Sequence, residues 1–262
     1  MMRGWILAFT VLLSTSVYAY EIPRDSEVMT HFGDCKAEFL PSNFSIFVWN
    51  IKKAEAKSRW ALDFERFAPK SDVVLIQEAM LDTFVTSIAL RQKNFCWDFA
   101  TSFIDNDPTG VMNGSPITAL KTHFLRSPGR EPIARTPKMT LVAEFAIANS
   151  RETLMVANIH ALNFVQDKNN RAQIQAVADF LKKHKGPIIF AGDFNSWNGN
   201  RTSALNEILS PLGLKKVPLD KDDRGMKLDH IFVRGLLTHS STLHPDVKSS
   251  DHAPITAAFR LK

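Results

Sequence analysis

The chain has 262 residues, 45% of them hydrophobic and 23% charged, with a formal net charge of +5. That balance excludes a disordered or low-complexity chain, and its length suits one large domain or two small ones. Beyond the first residues no segment is long and apolar enough to cross a bilayer as a helix, which excludes a multi-span membrane protein.

Residues 1–19 read as a secretory signal peptide. Arg3 supplies the positive charge, Ile6–Val17 the apolar stretch, and Val17-Tyr18-Ala19 a small-x-small cleavage pattern ahead of Tyr20. A membrane anchor is the alternative, but the stretch is short and interrupted by Ser and Thr. The expectation is an exported protein, periplasmic or secreted. Cleavage removes Arg3 and no other charged residue, which lowers the net charge from +5 to +4. A modest basic excess of this kind is compatible with a polyanionic substrate without requiring one.

Residues 20–43 are expected to form an irregular lead and residues 44–262 a single catalytic domain. The lead carries Cys35, and Cys96 is the only other cysteine. In an exported protein the pair can close one disulfide between lead and domain. Two buried thiols are the other reading, and the spacing fits no zinc or redox motif.

Strands are then expected at Phe44–Trp49, Val73–Gln77, Phe95–Ser102, Gly110–Ser115, Met139–Ala146, Thr153–Asn158 and Ile188–Ala191. Three more follow at Leu228–Val233, Leu237–Leu243 and Ile255–Arg260. Helical periodicity is clearest over Arg171–His184, where Ile174, Val177 and Leu181 share a face and Asn170 suits the N-cap. Trp60–Phe67, Leu81–Leu90 and Thr202–Leu209 are shorter helical candidates. Strands outnumber helices and several follow one another directly. This mix suggests two sheets packed face to face with helices outside.

Six of the apolar runs abut a polar cluster: Asn50 after Trp49, Gln77-Glu78, Asn158-Ile159-His160 and "GDFN" at 192–195 follow their runs, and "LDH" at 228–230 and "SDH" at 250–252 introduce theirs. Asn, Asp and Gly are turn formers, but Glu and His are not, so turn chemistry does not account for all six. Asn50, Glu78, Asp193 and Asp251 offer hard oxygen ligands, the set preferred by Mg²⁺ or Mn²⁺. His160 and His252 can stabilise a phosphoryl oxygen or move a proton near neutral pH, and Asp229 can hold His252 in one tautomer. Such a set describes metal-assisted hydrolysis of a phosphoester.

In order, N-I-K, Q-E, N-x-H, G-D-F-N, L-D-H-I-F and S-D-H resemble the endonuclease/exonuclease/phosphatase superfamily, the fold of DNase I, apurinic endonucleases, sphingomyelinases and inositol polyphosphate phosphatases. "VWNIKK", "TGVM", "REPI", "NIHALNF" and "GDFNSWN" are most similar to its bacterial YafD-like branch. The resemblance spans about residues 44–260. It implies an α/β fold, a four-layered α-β-β-α sandwich of two packed mixed β-sheets with outer helices. By the same resemblance Asn50 and Glu78 hold the metal, with Asp251 beside it directly or through water. Asp193 activates the attacking water, Asn195 fixes that water or a phosphate oxygen, His160 and His252 clamp the scissile phosphate, and Asp229 pairs with His252. The family often places a phosphate-contacting arginine before the strand at Met139, which points to Arg135 first and Arg130 second, against the reading of both as surface residues.

Two departures from the family pattern stand out. No acidic partner for His160 exists within "TGVMNGSPITA", so Asn113, Ser115 or a backbone group is expected to hold it. The apurinic endonucleases carry an acid two places after the first Asn, where this chain has Lys52; a lysine there can contact phosphate but cannot bind metal. His230, Trp49 and Trp197 are expected to serve packing or hydrogen bonding. The combined expectation is an exported, monomeric, Mg²⁺-dependent phosphodiesterase (Mn²⁺ being possible) acting on nucleic acid, with DNA favoured over RNA. The alternatives are a lipid or inositol phosphoesterase, disfavoured because no apolar hairpin for entering a bilayer is visible, and a non-catalytic binding module on the same fold.

Overall fold

The computed structural model describes residues 20–220 and 222–262. The expected signal peptide, residues 1–19, lies outside them. In chain order the described elements begin β1 (Met29–Gly33), β2 (Asn43–Asn50), α1 (Ser58–Phe67), β3 (Val73–Met80), α2 (Thr83–Leu90), β4 (Cys96–Asp105), β5 (Asp107–Ser115) and β6 (Lys121–Arg126). They continue with β7 (Met139–Ala146), β8 (Thr153–His160), α3 (Asp167–Leu181), β9 (Ile188–Asp193), α4 (Gly199–Leu209), β10 (Lys215–Lys216), β11 (Asp229–Arg234), β12 (Leu236–Leu243) and β13 (Ile255–Leu261).

Two sheets result, ordered β1-β4-β5-β3-β2-β13-β12 and β10-β11-β9-β8-β7-β6. Side-chain alternation decides how they stack. In β2, Phe44, Ile46 and Val48 point into the core between the sheets, and Phe47 and Trp49 point outward. β3 repeats the pattern, with Val73 and Leu75 inward and Val74 and Ile76 outward. Strands buried on both faces read as continuous apolar runs, as these do. The outward set meets Trp60, Phe64 and Phe67 of α1, spaced along one helical face. On the second sheet Ala157, Ile159, Ile188 and Phe190 meet Ile174, Val177 and Leu181 of α3 and Leu205 of α4. Each such large apolar side chain contributes roughly 1.5–3 kcal/mol when removed from water. The result is the four-layered α-β-β-α sandwich.

Three strands carry too little pattern to be expected from sequence. β1 makes the lead partly regular: it pairs antiparallel with β4, Met29 opposite Ala100, and the Cys35–Cys96 disulfide ties the lead to the start of β4. β6 is an edge strand of mixed polarity and β10 is two residues long. Asn170 does not cap α3, which begins three residues earlier. Its buried amide instead donates to the carbonyls of Leu162 and Phe194. No helix among the described residues is long and apolar enough to cross a membrane.

Pairing direction brings the polar clusters together. β2 runs parallel to β3 and β8 parallel to β9, so Asn50, Glu78, His160 and Asp193 emerge at the same end. β11 and β13 run antiparallel to β9 and β2, so their beginnings, at Asp229 and just after His252, reach that end too.

Candidate active site

Glu78 reaches the cleft through an irregularity. The pairing of β3 with β5 slips between Ile76 and Ala79, and Glu78 takes φ 50°, a left-handed conformation unusual for a side-chain-bearing residue in a strand. The preceding Gln77 turns between the sheets and donates to Asn158 Oδ1 at 2.6 Å. Asn158 in turn donates to the Ile76 carbonyl at 3.1 Å, the Met112 carbonyl at 3.2 Å and Asn113 Oδ1 at 2.9 Å. This buried polar bridge fastens the two sheets directly behind the site. Its sequence signal is the N-x-H spacing, which puts Asn158 on the same face of β8 as His160.

Asp193 ends β9, the strand between β8 and β11 whose residues are all buried. The strand was expected to end at Ala191, but it runs on through Gly192 to Asp193. Gly192 has φ 128°, and a Cβ there would stand 2.2 Å from the Ile159 carbonyl oxygen, so the residue permits close backbone approach. Asp193 Oδ1 accepts from the Asn195 backbone N–H at 2.9 Å, and Oδ2 accepts from Asn50 Nδ2 at 3.1 Å. Asn195 is held by its own amide on the Ala161 carbonyl. Asn50 Nδ2 also lies 3.5 Å from Glu78 Oε1, joining the two sheets' contributions. Burial, reinforced by the charge of Asp229, pushes the Asp193 carboxyl up to about 6.

Two histidines face Asp193. His252 Nδ1 is 3.0 Å from both carboxylate oxygens of Asp229, and its Nε2 is 3.9 Å from Asp193 Oδ2. Burial opposes charge on this ring, but the hydrogen bond to Asp229 and the nearby acids outweigh it, raising His252 to about 9. The 250–252 turn is fixed by Trp49 Nε1 donating to the His252 carbonyl and Ser250 Oγ donating to the Asn50 carbonyl. His160 lies opposite, with Nε2 3.7 Å from Asp193 and 3.6 Å from Glu78. Neither Asn113 nor Ser115 holds it: Asn113 accepts from Asn158, and Ser115 donates to the Asp72 carbonyl. Its neighbour is Lys138, whose Nζ is 3.0 Å from Nε2. Burial first, then the positive charges of Lys138 and His252, lower the His160 pKa well below the ordinary imidazole value.

The cations differ from those expected. Arg130 and Arg135 are both exposed and stand outside the cavity lining, because the loop folds back on itself through the Glu131 N–H bond to the Thr136 carbonyl. Lys138 takes the inner position. Lys52 engages Glu55 at 3.5 Å and Asp251 at 3.7 Å, while Lys53 lines the cavity. Lys52, Lys53 and Ala54 all have positive φ, and that tight left-handed turn reverses which lysine faces inward. Asp251 is exposed at the cavity's outer edge. Arg224, unmarked in the sequence, donates to Asp229 Oδ2 at 3.3 Å, so Asp229 is shared between Arg224 and His252. His230 bonds Ser196 Oγ at 2.7 Å and packs on Phe194, Trp49 is buried, and Trp197 stacks on the Arg201 guanidinium.

Glu78, Lys53, Lys138, His160, Asp193, Asn195, Asp251 and His252 open into one cavity of about 450 Å³. The donor set fits a hard divalent cation. Glu78, Asp193 and Asp229 supply carboxylates and Asn50 an amide, with both cysteines locked in a disulfide. Asp193, Asp229 and His252 also present ligand atoms within 4.8 Å of one another. Burial first and the charge of Asp229 second disfavour an ionised Asp193, and a cation held beside it would favour the ionised form. The arrangement can polarise a phosphoester, accept a proton from water and stabilise charge on phosphoryl oxygens.

The chain is similar in sequence to curated relatives and in fold to solved structures. A UPF0294 protein of Vibrio parahaemolyticus is 30% identical across 100% of this chain and 99% of its own. Among solved structures, an endonuclease/exonuclease/phosphatase from Beutenbergia cavernae superposes with TM-score 0.68 at 14% identity, covering 84% of this chain and 72% of that one. ANGEL2, a 2′,3′-cyclic phosphatase solved with adenosine-2′,3′-vanadate, gives TM-score 0.66 at 15% identity over 89% of this chain and 98% of its own. The sequence profile of the Endonuclease/Exonuclease/phosphatase family matches residues 47–252, and the chain belongs to that family.

Proposed function

We propose that the protein is an exported phosphodiesterase, dependent on Mg²⁺ or Mn²⁺, that hydrolyses nucleic acid, acting as an endonuclease on DNA. The observation that carries this reading is Asp193, a buried carboxylate bonded to Asn50 beside Glu78 on one side and facing a charged His252 on the other. Glu78 and Asn50 would hold the cation, which when bound supplies Lewis-acid polarisation of the phosphoryl group.

The chain's own groups do the rest. Asp193, with a pKa of about 6, is mostly ionised at neutral pH and accepts a proton from the attacking water. The Asn195 N–H and the Asn50 amide keep its oxygens oriented. His252, held by Asp229, stays protonated and donates to a phosphoryl oxygen as negative charge grows there. His160 stays neutral, and Lys138 beside it supplies the positive charge on that wall. Lysines 53 and 138 in the lining favour an anionic substrate. The structural neighbour ANGEL2, described as a 2′,3′-cyclic phosphatase, supports a nucleotide phosphodiester as chemistry suited to this fold.

Purified protein lacking residues 1–19 should nick supercoiled plasmid with Mg²⁺, and EDTA or His252→Ala should abolish nicking. Inertness on DNA and RNA together with cleavage of sphingomyelin or phosphoinositides would replace the nucleic-acid reading. No metal-dependent hydrolysis across a broad phosphoester panel would remove the enzymatic one.

A further inference from the structure

Two large apolar side chains stand in water at the mouth of the catalytic cavity. Ile133 is 95% exposed and Phe164 77% exposed, and both line the cavity that holds Asp193 and His252. Scattered surface hydrophobics need no explanation, but these sit on two separate loops that are fastened together.

The fastening uses two buried charges with no part in the proposed chemistry. Glu131, 8% exposed, accepts from the Asn163 N–H at 2.7 Å and from the Phe164 N–H at 3.0 Å. From the other side Arg201, 1% exposed, donates to the carbonyls of Leu162 at 3.2 Å, Asn163 at 2.9 Å and Val165 at 2.7 Å. The same guanidinium bonds the Asn195 carbonyl at 2.9 Å, tying the loop to the catalytic strand's exit. Charge-assisted bonds to the four consecutive residues 162–165 hold the backbone that carries Phe164. The ring is presented on a prepared support, which reduces the ordering cost of binding.

Charge in the same cavity identifies what this surface suits. Lys138 stands beside His160, and Lys53 lies over the Phe103 ring, 5.7 Å from its centroid, with Phe103 continuing the apolar wall. A ligand that matches both parts has a flat apolar body joined to an anion, which is a nucleobase on its phosphodiester. A cavity of about 450 Å³ suits one small-molecule-sized group rather than a stacked, paired duplex.

Building on the nuclease reading of this site, we propose that Phe164 and Ile133 clamp the unpaired base next to the scissile phosphate, so that the preferred substrate is single-stranded nucleic acid. Aromatic stacking recognises any base, because every base has a π-face, and predicts little sequence preference.

The test uses the purified protein carrying His252→Ala, so that nothing is cleaved, and fluorescence anisotropy with a labelled single strand and its duplex in Mg²⁺. The single strand should bind more tightly than the duplex. Phe164→Ala should weaken single-strand binding about ten-fold, Ile133→Ala should weaken it less, Phe164→Tyr should retain it, and duplex binding should hardly change. Melting temperatures of the variants should match the parent, since both side chains are exposed. Three results would overturn the clamp while the protein with His252 still cuts nucleic acid: unchanged single-strand affinity in Phe164→Ala, tighter binding of duplex, or co-sedimentation with phosphatidylglycerol vesicles lost in the Ile133→Ala, Phe164→Ala double variant. Absence of both binding to and cleavage of any nucleic acid would overturn the nuclease reading and the clamp with it.

Discussion

His160 and His252 face one carboxylate from opposite walls, their Nε2 atoms 3.7 Å and 3.9 Å from Asp193 Oδ2. Both rings are largely buried, and burial works against charge on each. The outcome differs because His160 is the more deeply buried and because the neighbours differ. His252 rests on Asp229 and keeps its proton to about pH 9, whereas His160 rests on Lys138 and is held neutral. The same residue type is therefore a cation on one wall and a neutral polar group on the other, and on the second wall the positive charge has moved to the lysine. What a histidine contributes here is decided one residue further out.

The comparison can be broken at its shared point first. Asp193→Asn leaves both histidines without their common carboxylate and should lower kcat by about 10³-fold or more, the upper part of the range for a lost general base. Single-turnover cleavage measures it. Next, His252→Ala should cost about 10²–10³-fold in kcat, enough to remove detectable nicking in the plasmid assay, as expected for a lost oxyanion donor. His160→Ala should act mainly on KM, because a neutral ring beside Lys138 contributes little charge stabilisation. Equal effects of the two alanine substitutions would collapse the distinction.

The pH profile sharpens it. Asp193 must be unprotonated, so activity rises as pH passes about 6; His252 must be protonated, so activity falls as pH passes about 9. Asp229→Asn removes the carboxylate charge that raises His252 and should shift the alkaline limb to lower pH while leaving the acidic limb in place or lowering it. Lys138→Met should raise KM roughly ten-fold, the worth of one charged hydrogen bond to substrate. It should also move the His160 pKa upward, since Lys138 contributes to its depression. The smallest expected effect on chemistry is that of Asn158→Ala, which removes the donor to Asn113 Oδ1 and leaves the Gln77 amide only the Leu75 carbonyl, and should cost about 1–3 kcal/mol of stability by denaturant titration.

The contrast between the walls also shows which features the sequence made legible. Asn50, Glu78, His160, Asp193, Asn195, Asp229 and His252 all lie at or within three residues of the end of a strand whose apolar run is visible in the chain, and strand direction carries them to one end of the sandwich. Their partners on loops were not legible. Arg135 and Lys138 are three residues apart, and only the turn fastened by Glu131 and Thr136 decides which one lines the cavity. Lys52 and Lys53 are adjacent, and three successive positive φ values choose between them. Composition does not encode such backbone signs in residues other than glycine. Arg224 reaches Asp229 from an irregular stretch with no periodicity to place it. β1 and β6 were hidden for a related reason, since edge strands with mixed polarity lack a buried face to mark them.

The most direct test of the central claim is a histidine-resolved NMR titration of the protein between pH 5 and 10, with His160→Gln and His252→Gln used to assign the two resonances. The account predicts that the His252 ring stays protonated through neutral pH and titrates near 9, while His160 loses its proton well below the ordinary imidazole value. Titration of both rings together near the ordinary imidazole value would contradict it.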